Sequence, residues 1–430
     1  MYGEKRIQTI LTITFLLGMA GRSTDARATD VSGDVWGTWI LAESPYNLVG
    51  DARVPPDSSL VIEPGVEVIG RGHFKITVES GALLLAVGTA SQMILFTAED
   101  MVVGWRGLRL EGADDATRIS YCTFEYARGT GAYPEVRGGV LMVRNCSPVI
   151  SDNIFRFSSS MNANQNGTGG GICTESSDAR ILRNTVIDNE ADSGGGICVT
   201  EYGSPFIQGN LIADNVALSG GGGMYLGARS TPLIVNNIIR GNHSSGWGGG
   251  GINCWNSFIF YGTYPTIENN IVTENTATSA GGGLYCRYDR SLLTNNVVAY
   301  NSASRGGGIH VLNQGTSAPI VTNCIVWGNT AATGPQIDLD GSTGSVVYVN
   351  YSDVEGNWTG TGNIDADPRF ISFFGFDYLL HPKSSCVDTG DPSIEDALSD
   401  WHPRWPGGYP NGPRSDMGAY GGPRNIDWLR

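Results

Sequence analysis

Residues 205–226 read PFIQGNLIADNVALSGGGGMYL. The stretch holds two short apolar runs, each followed within a few residues by an asparagine, and then a run of glycines that ends at an aliphatic residue. Short β-branched runs broken by glycine, proline and asparagine indicate strands, because a helix needs apolar residues at a 3.6-residue period over ten or more positions. The stretch therefore predicts short strands joined by tight bends.

The same pattern recurs through the middle of the chain. The glycine run and its aliphatic residue appear at Gly171-Ile172, Gly196-Ile197, Gly223-Met224, Gly251-Ile252, Gly283-Leu284 and Gly308-Ile309, with Gly139-Val140 as a degenerate earlier copy. These six copies are spaced by 25, 27, 28, 32 and 25 residues. A period of this length indicates a solenoid in which each copy is one turn, and we expect three short strands in a turn.

Alignment of the copies places equal residue types in equal positions. Turns stacked at about 4.8 Å would set these residues directly over one another, so we expect the aliphatic columns to fill the interior. Two asparagine columns should lie at bends and form ladders, because a side-chain amide can donate to one neighbouring turn and accept from the other. The first column is Asn184, Asn210, Asn237, Asn270 and Asn296, and the second is Asn189, Asn215, Asn242, Asn275, Asn301 and Asn329.

The glycine runs fit bends in which φ is positive or in which backbones approach too closely for a Cβ atom. With this repeat the chain resembles the bacterial secreted proteins that fold as right-handed parallel β-helices. Its Gly-Gly-Gly-Ile and Val/Ile-x-x-Asn elements are similar to the repeats of polymorphic outer-membrane proteins, with a third glycine in place of alanine and Val or Ile in place of Phe. The segments VPPDSSLVIEPGVEVIG (54–70) and DMGAYGGP (416–423) resemble the ends of such proteins.

The resemblance implies an all-β fold, a right-handed parallel β-helix (solenoid) of about ten rungs with N- and C-terminal caps. We expect a signal peptide in residues 1–28, an N-terminal cap and the first rungs in 29–110, the repeats in 111–350 and a C-terminal capping segment in 351–430. Lys5 and Arg6, the apolar residues 7–20 and the Ala-x-Ala site at 26–28 favour a cleaved signal over a membrane anchor, since the apolar run is shorter than the ~20 residues of a spanning helix. The mature protein is therefore expected outside the cell or on its surface, without a transmembrane helix.

Charge and cysteine content narrow the possible partners. The formal net charge of −15 argues against binding to nucleic acid or to an anionic membrane. Cys173 and Cys198 share one phase of the repeat, as do Cys254 and Cys286, so each pair is expected to form either a disulfide or stacked thiols. We expect no metal site from Cys or His spacing, and no cofactor.

Acidic residues raise two possible roles, Ca²⁺ binding and catalysis. Asp338, Asp340, Asp365, Asp367, Asp388 and Asp391 suggest Ca²⁺ near the C-terminus, although turn-forming aspartates explain them better. Asp188 and Asp214 share a phase in consecutive turns, with Glu274 two turns further on, so they are the candidates for catalysis if the protein is an enzyme. An outward, solvated position beside the asparagine ladder is the favoured interpretation of these three carboxylates.

Aromatic residues give the main hypothesis for function. The candidate ligand-binding residues are Tyr225, Trp247, Trp255, Phe258, Tyr261, Tyr264 and Tyr285, which lie in the longest loop of the repeats or in the column after the glycine runs. Aromatic faces on a rigid sheet are surfaces on which sugar rings stack. We expect a non-catalytic, adhesin-like protein that binds polysaccharide or cell-surface glycan. The alternatives are a polysaccharide lyase or glycoside hydrolase acting in a groove along the β-helix, and a structural spacer.

Overall fold

The computed structural model describes residues 28–162, 166–227, 229–256, 264–313, 318–341, 344–373, 376–398 and 412–429. All of the expected signal peptide except its last residue lies outside the described residues. Within the described part, the chain winds through a parallel β-solenoid and helix is confined to two short 3₁₀ segments, Leu41–Glu43 and Asn425–Leu429. The expected all-β solenoid is confirmed.

Each turn supplies one strand to each of three parallel sheets, which we call A, B and C. Sheet A contains Ile76–Val78, Leu108–Glu111, Leu141–Arg144, Ile172–Glu175, Ile197–Thr200, Met224–Leu226, Ile252–Trp255, Leu284–Arg287, Ile309–Leu312 and Ile337–Leu339. Sheet B contains Gly37–Trp39, Ser59–Ile62, Leu83–Val87, Arg118–Ser120, Val149–Ser151, Arg180–Leu182, Phe206–Gln208, Leu233–Val235, Thr266–Glu268, Leu292–Thr294, Ile320–Thr322 and Tyr348–Asn350. Sheet C contains Glu67–Gly70, Ile94–Ala98, Cys122–Glu125, Ile154–Arg156, Thr185–Ile187, Leu211–Ala213, Ile238–Arg240, Ile271–Thr273, Val297–Ala299, Ile325–Trp327 and Asp353–Val354.

The first turns and most repeat turns depart from this three-strand plan. Thr29–Asp34 and Tyr46–Val54 are long strands, and Tyr46–Val54 pairs with strands of both sheet C and sheet A. A further sheet, D, contains Arg128–Gly129, Ser159–Ser160, Glu190–Ser193, Val216–Gly220, His243–Ser244, Thr276–Ala280 and Ser302–Arg305. The expectation of three strands per turn is therefore wrong for these turns, because the residues between the second asparagine and the glycine run also pair.

The core is built from residues of equal type that lie opposite one another. Ile181 pairs in register with Ile150 on one side and with Ile207 on the other, and all three are fully buried. Larger side chains fill the N-terminal turns, where the Phe124 ring stacks between those of Phe96 and Phe155 at centroid distances of 4.6 and 5.1 Å. Burial of each such side chain stabilises the fold by about 1.5–3 kcal/mol. The buried side chains of successive turns form one continuous core.

The asparagine columns form two hydrogen-bonded ladders. The Nδ2 atom of Asn210 donates to Oδ1 of Asn237 at 2.9 Å and to the carbonyl oxygen of Ile181 at 2.9 Å. The same Oδ1 of Asn237 accepts from the backbone N–H of Asn210 at 2.9 Å. One side chain thus satisfies backbone groups of the bend and joins it to the next turn.

The second ladder ends in a different kind of contact. Asn329 Nδ2 donates to Oε1 of Gln336 at 2.7 Å, and Gln336 Nε2 donates to Oε2 of Glu355 at 2.5 Å. Glu355 Oε2 also accepts from the backbone N–H of Gly328 at 2.9 Å. The second ladder therefore ends at the carboxylate of Glu355, which accepts the last side-chain hydrogen bond of the series.

The glycine runs make the bend from sheet D to sheet A. Gly221 has φ of 70°, in the left-handed region that glycine adopts without strain. A Cβ atom on Gly223 would lie 2.7 Å from the carbonyl oxygen of Gly251 in the next turn. Successive turns therefore pass too closely at this bend for any side chain.

The C-terminal residues pack along the outer side of the solenoid. Phe370–Phe373 and Phe376–Leu380 form an antiparallel hairpin. Leu379, Met417 and Tyr420 pack in one cluster with outward residues of sheet C such as Ile325. Asn269, which lies just before a ladder position, donates through Nδ2 to the carbonyl oxygen of Ala419 at 2.9 Å. At the end of the solenoid, Trp358 packs against the main core.

Candidate functional site

The outer face of sheet A carries two columns of side chains. Strand residues alternate between the core and this face. The first column contains Arg109, Met142, Cys173, Cys198, Tyr225, Asn253, Tyr285, His310 and Asp338. The second contains Glu111, Arg144, Glu175, Thr200, Trp255, Arg287 and Leu312, so polar and aromatic groups face away from the aliphatic core.

A row of residues that are joined from turn to turn by β-bridges covers the first column. This row, which we call the bridge row, comprises Arg137, Thr168, Ser193, Gly220, Gly248, Ala280, Arg305 and Thr333. A Cβ atom on Gly220 would lie 2.2 Å from Nδ2 of Asn253, so the row lies directly on the column. Asn253 and Tyr285 are in consequence 1% and 6% exposed. These positions do point away from the core, as the sequence indicates, but sheet D brings the glycine runs over them.

An aromatic cluster lies where the bridge row leaves an opening. Trp255 lies between Trp247 and Tyr285, with ring centroids 6.4 Å from each. Tyr285 stacks on His310 at 5.2 Å. The Arg287 guanidinium lies 3.8 Å from the centre of the Trp255 ring, a cation–π contact that holds this indole in place. The rings of Trp255, Tyr285 and His310 thus follow one another over three turns, with Tyr285 and His310 buried.

A pocket of about 220 Å³ opens beside this cluster. Its lining residues are Ser193, Ser219, Gly220, Tyr225, Trp247, Asn253 and Trp255. Trp247 is 66% exposed and forms the outer wall. At the base, Asn253 Nδ2 donates to the carbonyl oxygen of Gly248 at 3.1 Å, whereas its buried Oδ1 has no hydrogen-bond partner among the described residues. The pocket therefore combines aromatic walls with a buried, unpartnered acceptor at its base.

The structure separates the aromatic residues that the sequence groups together. Tyr225, Trp247 and Trp255 line the pocket, and Tyr285 lies next to Trp255 outside its lining. Tyr264 lies elsewhere, in a cavity with Leu292 and Tyr348 on the outer side of sheet B. Phe258 and Tyr261 lie outside the described residues, so their place stays a prediction.

Next to Tyr285, a buried charged cluster ends the first column. His310 Nδ1 lies 2.7 Å from Oδ2 of Asp338, which also forms an ion pair with Nε of Arg305 at 3.0 Å. Burial lowers the pKa of His310, and the charge of Asp338 opposes this effect. The sequence-based predictions name Asp338 but not His310. Their shared phase, 28 residues apart, was the signal that would have joined them.

The candidate acidic residues lie at the bends that follow the strands of sheet C and do not line the aromatic pocket. Asp188, Asp214 and Glu274 are exposed, and each has a positive φ directly before a residue of the second asparagine ladder. Burial and the charge of Asp214 raise the pKa of Asp188. Gly241 occupies the same position between Asp214 and Glu274 and interrupts the column. Bend geometry beside the ladder accounts for these positions.

The C-terminal aspartates named for Ca²⁺ make turn contacts. Asp367 Oδ1 accepts from the backbone N–H of Arg369 at 2.9 Å, and Asp391 Oδ1 accepts from that of Ser393 at 2.9 Å. Asp388 Oδ1 accepts from the backbone N–H of Gly412 at 2.7 Å. Asp338 is held by His310 and Arg305. Short loops in which a carboxylate bonds the backbone two residues on are typical Asx turns.

Basic residues gather at the N-terminal end of the same face. Lys75 and Arg106 donate to different oxygens of Glu135, at 2.6 and 2.7 Å, beside a cavity of about 470 Å³. Arg144 donates to Glu111 at 2.6 Å on the same wall. Desolvation lowers the pKa of the buried Arg109 to about 10. Lys75, Arg106 and Arg144 are thus held by acidic partners, whereas Arg109 donates to the backbone carbonyl oxygen of Gly138 at 2.7 Å.

Comparison with known protein families adds one finding. Residues 106–276 match a family model. Its description is right handed beta helix region. The match covers both asparagine ladders as far as Asn270 and Asn275, and all residues that line the aromatic pocket. The solenoid of this chain is therefore a right-handed parallel β-helix. A search of curated proteins found no match. No helix among the described residues has the length and apolar character needed to cross a membrane.

Proposed function

We propose that this β-helix is an exported, non-catalytic protein that binds a polysaccharide or cell-surface glycan at the aromatic pocket of sheet A. The observation that carries the proposal is the pairing of the exposed Trp247 and the half-buried Trp255 with the unpartnered Oδ1 of Asn253. Sugar rings present apolar faces that stack on indoles, and hydroxyl groups that donate to such an acceptor. A buried acceptor without a donor costs about 1–3 kcal/mol, which a ligand hydroxyl would recover.

The shape of the site favours part of a chain over a compact small molecule. Its volume of about 220 Å³ is below the roughly 300–1,000 Å³ typical of drug-sized ligands. The lining residues Ser193, Tyr225 and Trp255 come from three successive turns of the solenoid. A polymer that lies along the solenoid axis would contact several turns at once.

The arrangement of charge supports binding without catalysis. The exposed carboxylates of Asp188, Asp214 and Glu274 lie at turns beside the second asparagine ladder and do not line the aromatic pocket. Lys75 and Arg106 are engaged with Glu135. The similarity of the repeats to those of polymorphic outer-membrane proteins and the signal-like N-terminus support an adhesin-like role at a cell surface.

The test is retention of the purified protein in affinity gels that contain soluble acidic or neutral polysaccharides. We expect at least one polysaccharide to slow migration, and Trp247→Ala to weaken that binding about tenfold, the loss of roughly 1.4 kcal/mol of stacking and burial. Trp36→Ala is the matched control, because Trp36 is 63% exposed and lies near the N-terminal end of the solenoid. Equal effects of the two variants would contradict the proposed site.

Two further outcomes would overturn the function itself. Release of reducing ends or unsaturated products during incubation would show a glycoside hydrolase or lyase. Absence of retention in every gel would leave the solenoid as a spacer. Thermal melting of each variant checks that it is folded.

A further inference from the structure

A second group of polar side chains lies on the core side of the same strands. Cys254 and Cys286 pair directly across neighbouring strands of sheet A, and both belong to the main buried core. Asp289 follows in the bend after the second of these strands and is fully buried. One ligand atom from each of the three residues lies within 4.8 Å of the others.

The carboxylate of Asp289 is only half satisfied. Its Oδ2 accepts from the backbone N–H of Ser291 at 3.2 Å and from the Ser291 hydroxyl. Its Oδ1 has no hydrogen-bond partner and the carboxylate forms no ion pair within the described residues. A buried charged group without a partner is costly, so buried carboxylates are normally paired or bound to a metal. One oxygen of this carboxylate lies within 4.8 Å of both thiol sulfurs.

We propose that Cys254, Cys286 and Asp289 bind a thiophilic divalent cation, with Zn²⁺ as the natural probe. Thiolate sulfur and carboxylate oxygen are both common zinc ligands, and soft thiolates select zinc over Mg²⁺ or Ca²⁺. Binding converts the two thiols to thiolates and releases their protons to solvent, with no change in oxidation state. Ser291, which bonds the other carboxylate oxygen, orients the ligand from outside the coordination sphere.

The chain contains a matched pair of cysteines that lacks these features. Cys173 and Cys198 also lie opposite each other in neighbouring strands of sheet A and are fully buried. Their neighbours are Thr168, whose hydroxyl oxygen lies 3.5 Å from Sγ of Cys173, and Arg137, whose positive charge acts on both thiols. A cationic neighbour disfavours a metal ion, so this pair serves as the control.

The experiment uses the full chain, purified under reducing conditions without chelator and then titrated with Co²⁺ and Zn²⁺. We expect one equivalent of Co²⁺ to bind and to produce a thiolate-to-cobalt charge-transfer band, which Zn²⁺ then displaces. Cys254→Ser, Cys286→Ser and Asp289→Asn should each remove the band or greatly weaken it. The double variant Cys173→Ser/Cys198→Ser should retain it. Ser291→Ala should weaken the affinity about 10–100-fold.

A second experiment uses only the wild-type chain, because substitutions in the core can prevent folding. We expect added Zn²⁺ to raise the melting temperature and a chelator to reverse the rise, because a ligand of the folded state stabilises it by mass action. Absence of stoichiometric Co²⁺ binding would overturn the proposal. A Cys254–Cys286 disulfide in the protein isolated without reductant and alkylated before analysis would also overturn it. These readouts do not involve glycan, so they are independent of the proposed function.

Discussion

At the level of single residues, each ladder asparagine serves two turns at once. Asn237 accepts two hydrogen bonds from Asn210 and donates to Oδ1 of Asn270 at 2.9 Å. Asn237→Leu leaves several of these buried groups without partners, at about 1–3 kcal/mol each, so we expect the free energy of unfolding to fall by about 3–5 kcal/mol. Asn237→Ser should cost less, because Ser158 already starts the second ladder. Urea unfolding measures both, and equal losses would contradict the ladder's role.

The glycine at the bend offers a second test at this scale. Gly223→Ala places a Cβ atom 2.7 Å from the carbonyl oxygen of Gly251, so we expect a loss of about 1–3 kcal/mol from overpacking. Gly341→Ala is the control, since nothing lies within 4 Å of a Cβ atom there. Thermal melting of the two variants makes the comparison; similar melting temperatures would show that the bend has room to relax.

Residue columns are also where sequence predicts structure best. A repeat places equal residues in equal environments, so Ile181 and Asn210 could be assigned to core and ladder from periodicity alone. The orphaned Oδ1 of Asn253 and the contact of Asp289 with the two cysteines were out of reach. They depend on which atoms remain unpaired after packing, and the repeat period carries no such information.

Among the elements, sheet D is what the sequence analysis missed. Its strands hold as few as two residues, such as His243–Ser244, and Glu190–Ser193 contains residues that are rare in strands. Such segments lack the alternation that marks a strand. The bridge row continues this sheet over sheet A. Because the sequence did not predict sheet D, it did not predict the burial of the first column either. The predicted binding site was therefore limited to aromatic residues.

The C-terminal segment of residues 376–398 and 412–429 should respond to pH. Burial raises the pKa of Asp396 to about 7, and burial together with the charge of Asp396 raises that of Asp416; Asp388 adds further negative charge. The folded state then holds these protons more tightly than the unfolded state, with its pKa of about 3.9. The stability that these two aspartates contribute to the segment is therefore fully present below about pH 4 and is lost as pH rises towards 7.

Limited proteolysis in the presence of a chelator measures this effect. We expect cleavage within residues 376–398 to be faster at pH 8 than at pH 5, and the double variant Asp396→Asn/Asp416→Asn to remove most of the difference. Asp57→Asn, at an exposed turn near the other end of the solenoid, should leave the pH dependence unchanged. A rate that is independent of pH in the wild type would refute the assignment.

For the molecule as a whole, the repeat predicts that one turn can be removed. Deletion of residues 205–231 joins Ser204 to Pro232, so that Asn237 would follow Asn184 in the first ladder. We expect a folded protein whose urea m-value falls modestly, because less surface is exposed on unfolding. Deletion of residues 205–217 is the control, since it removes strands of sheets B and C while keeping the glycine run. Circular dichroism should show the shorter deletion to be the more damaging.

The closed end of the second ladder has an electrostatic consequence. Along the second column each side-chain amide directs one N–H group towards the next turn and its Oδ1 towards the preceding turn, so the amide dipoles add as peptide dipoles do in a helix. The column therefore presents a partial positive charge at its last amide. Gln336 continues the series, and its Nε2 donates to the carboxylate of Glu355. Glu355 thus offsets the partial positive charge at the end of a stack of side-chain amides, as an acidic residue does at the first turn of an α-helix. The aligned amides give the solenoid a fixed axial polarity.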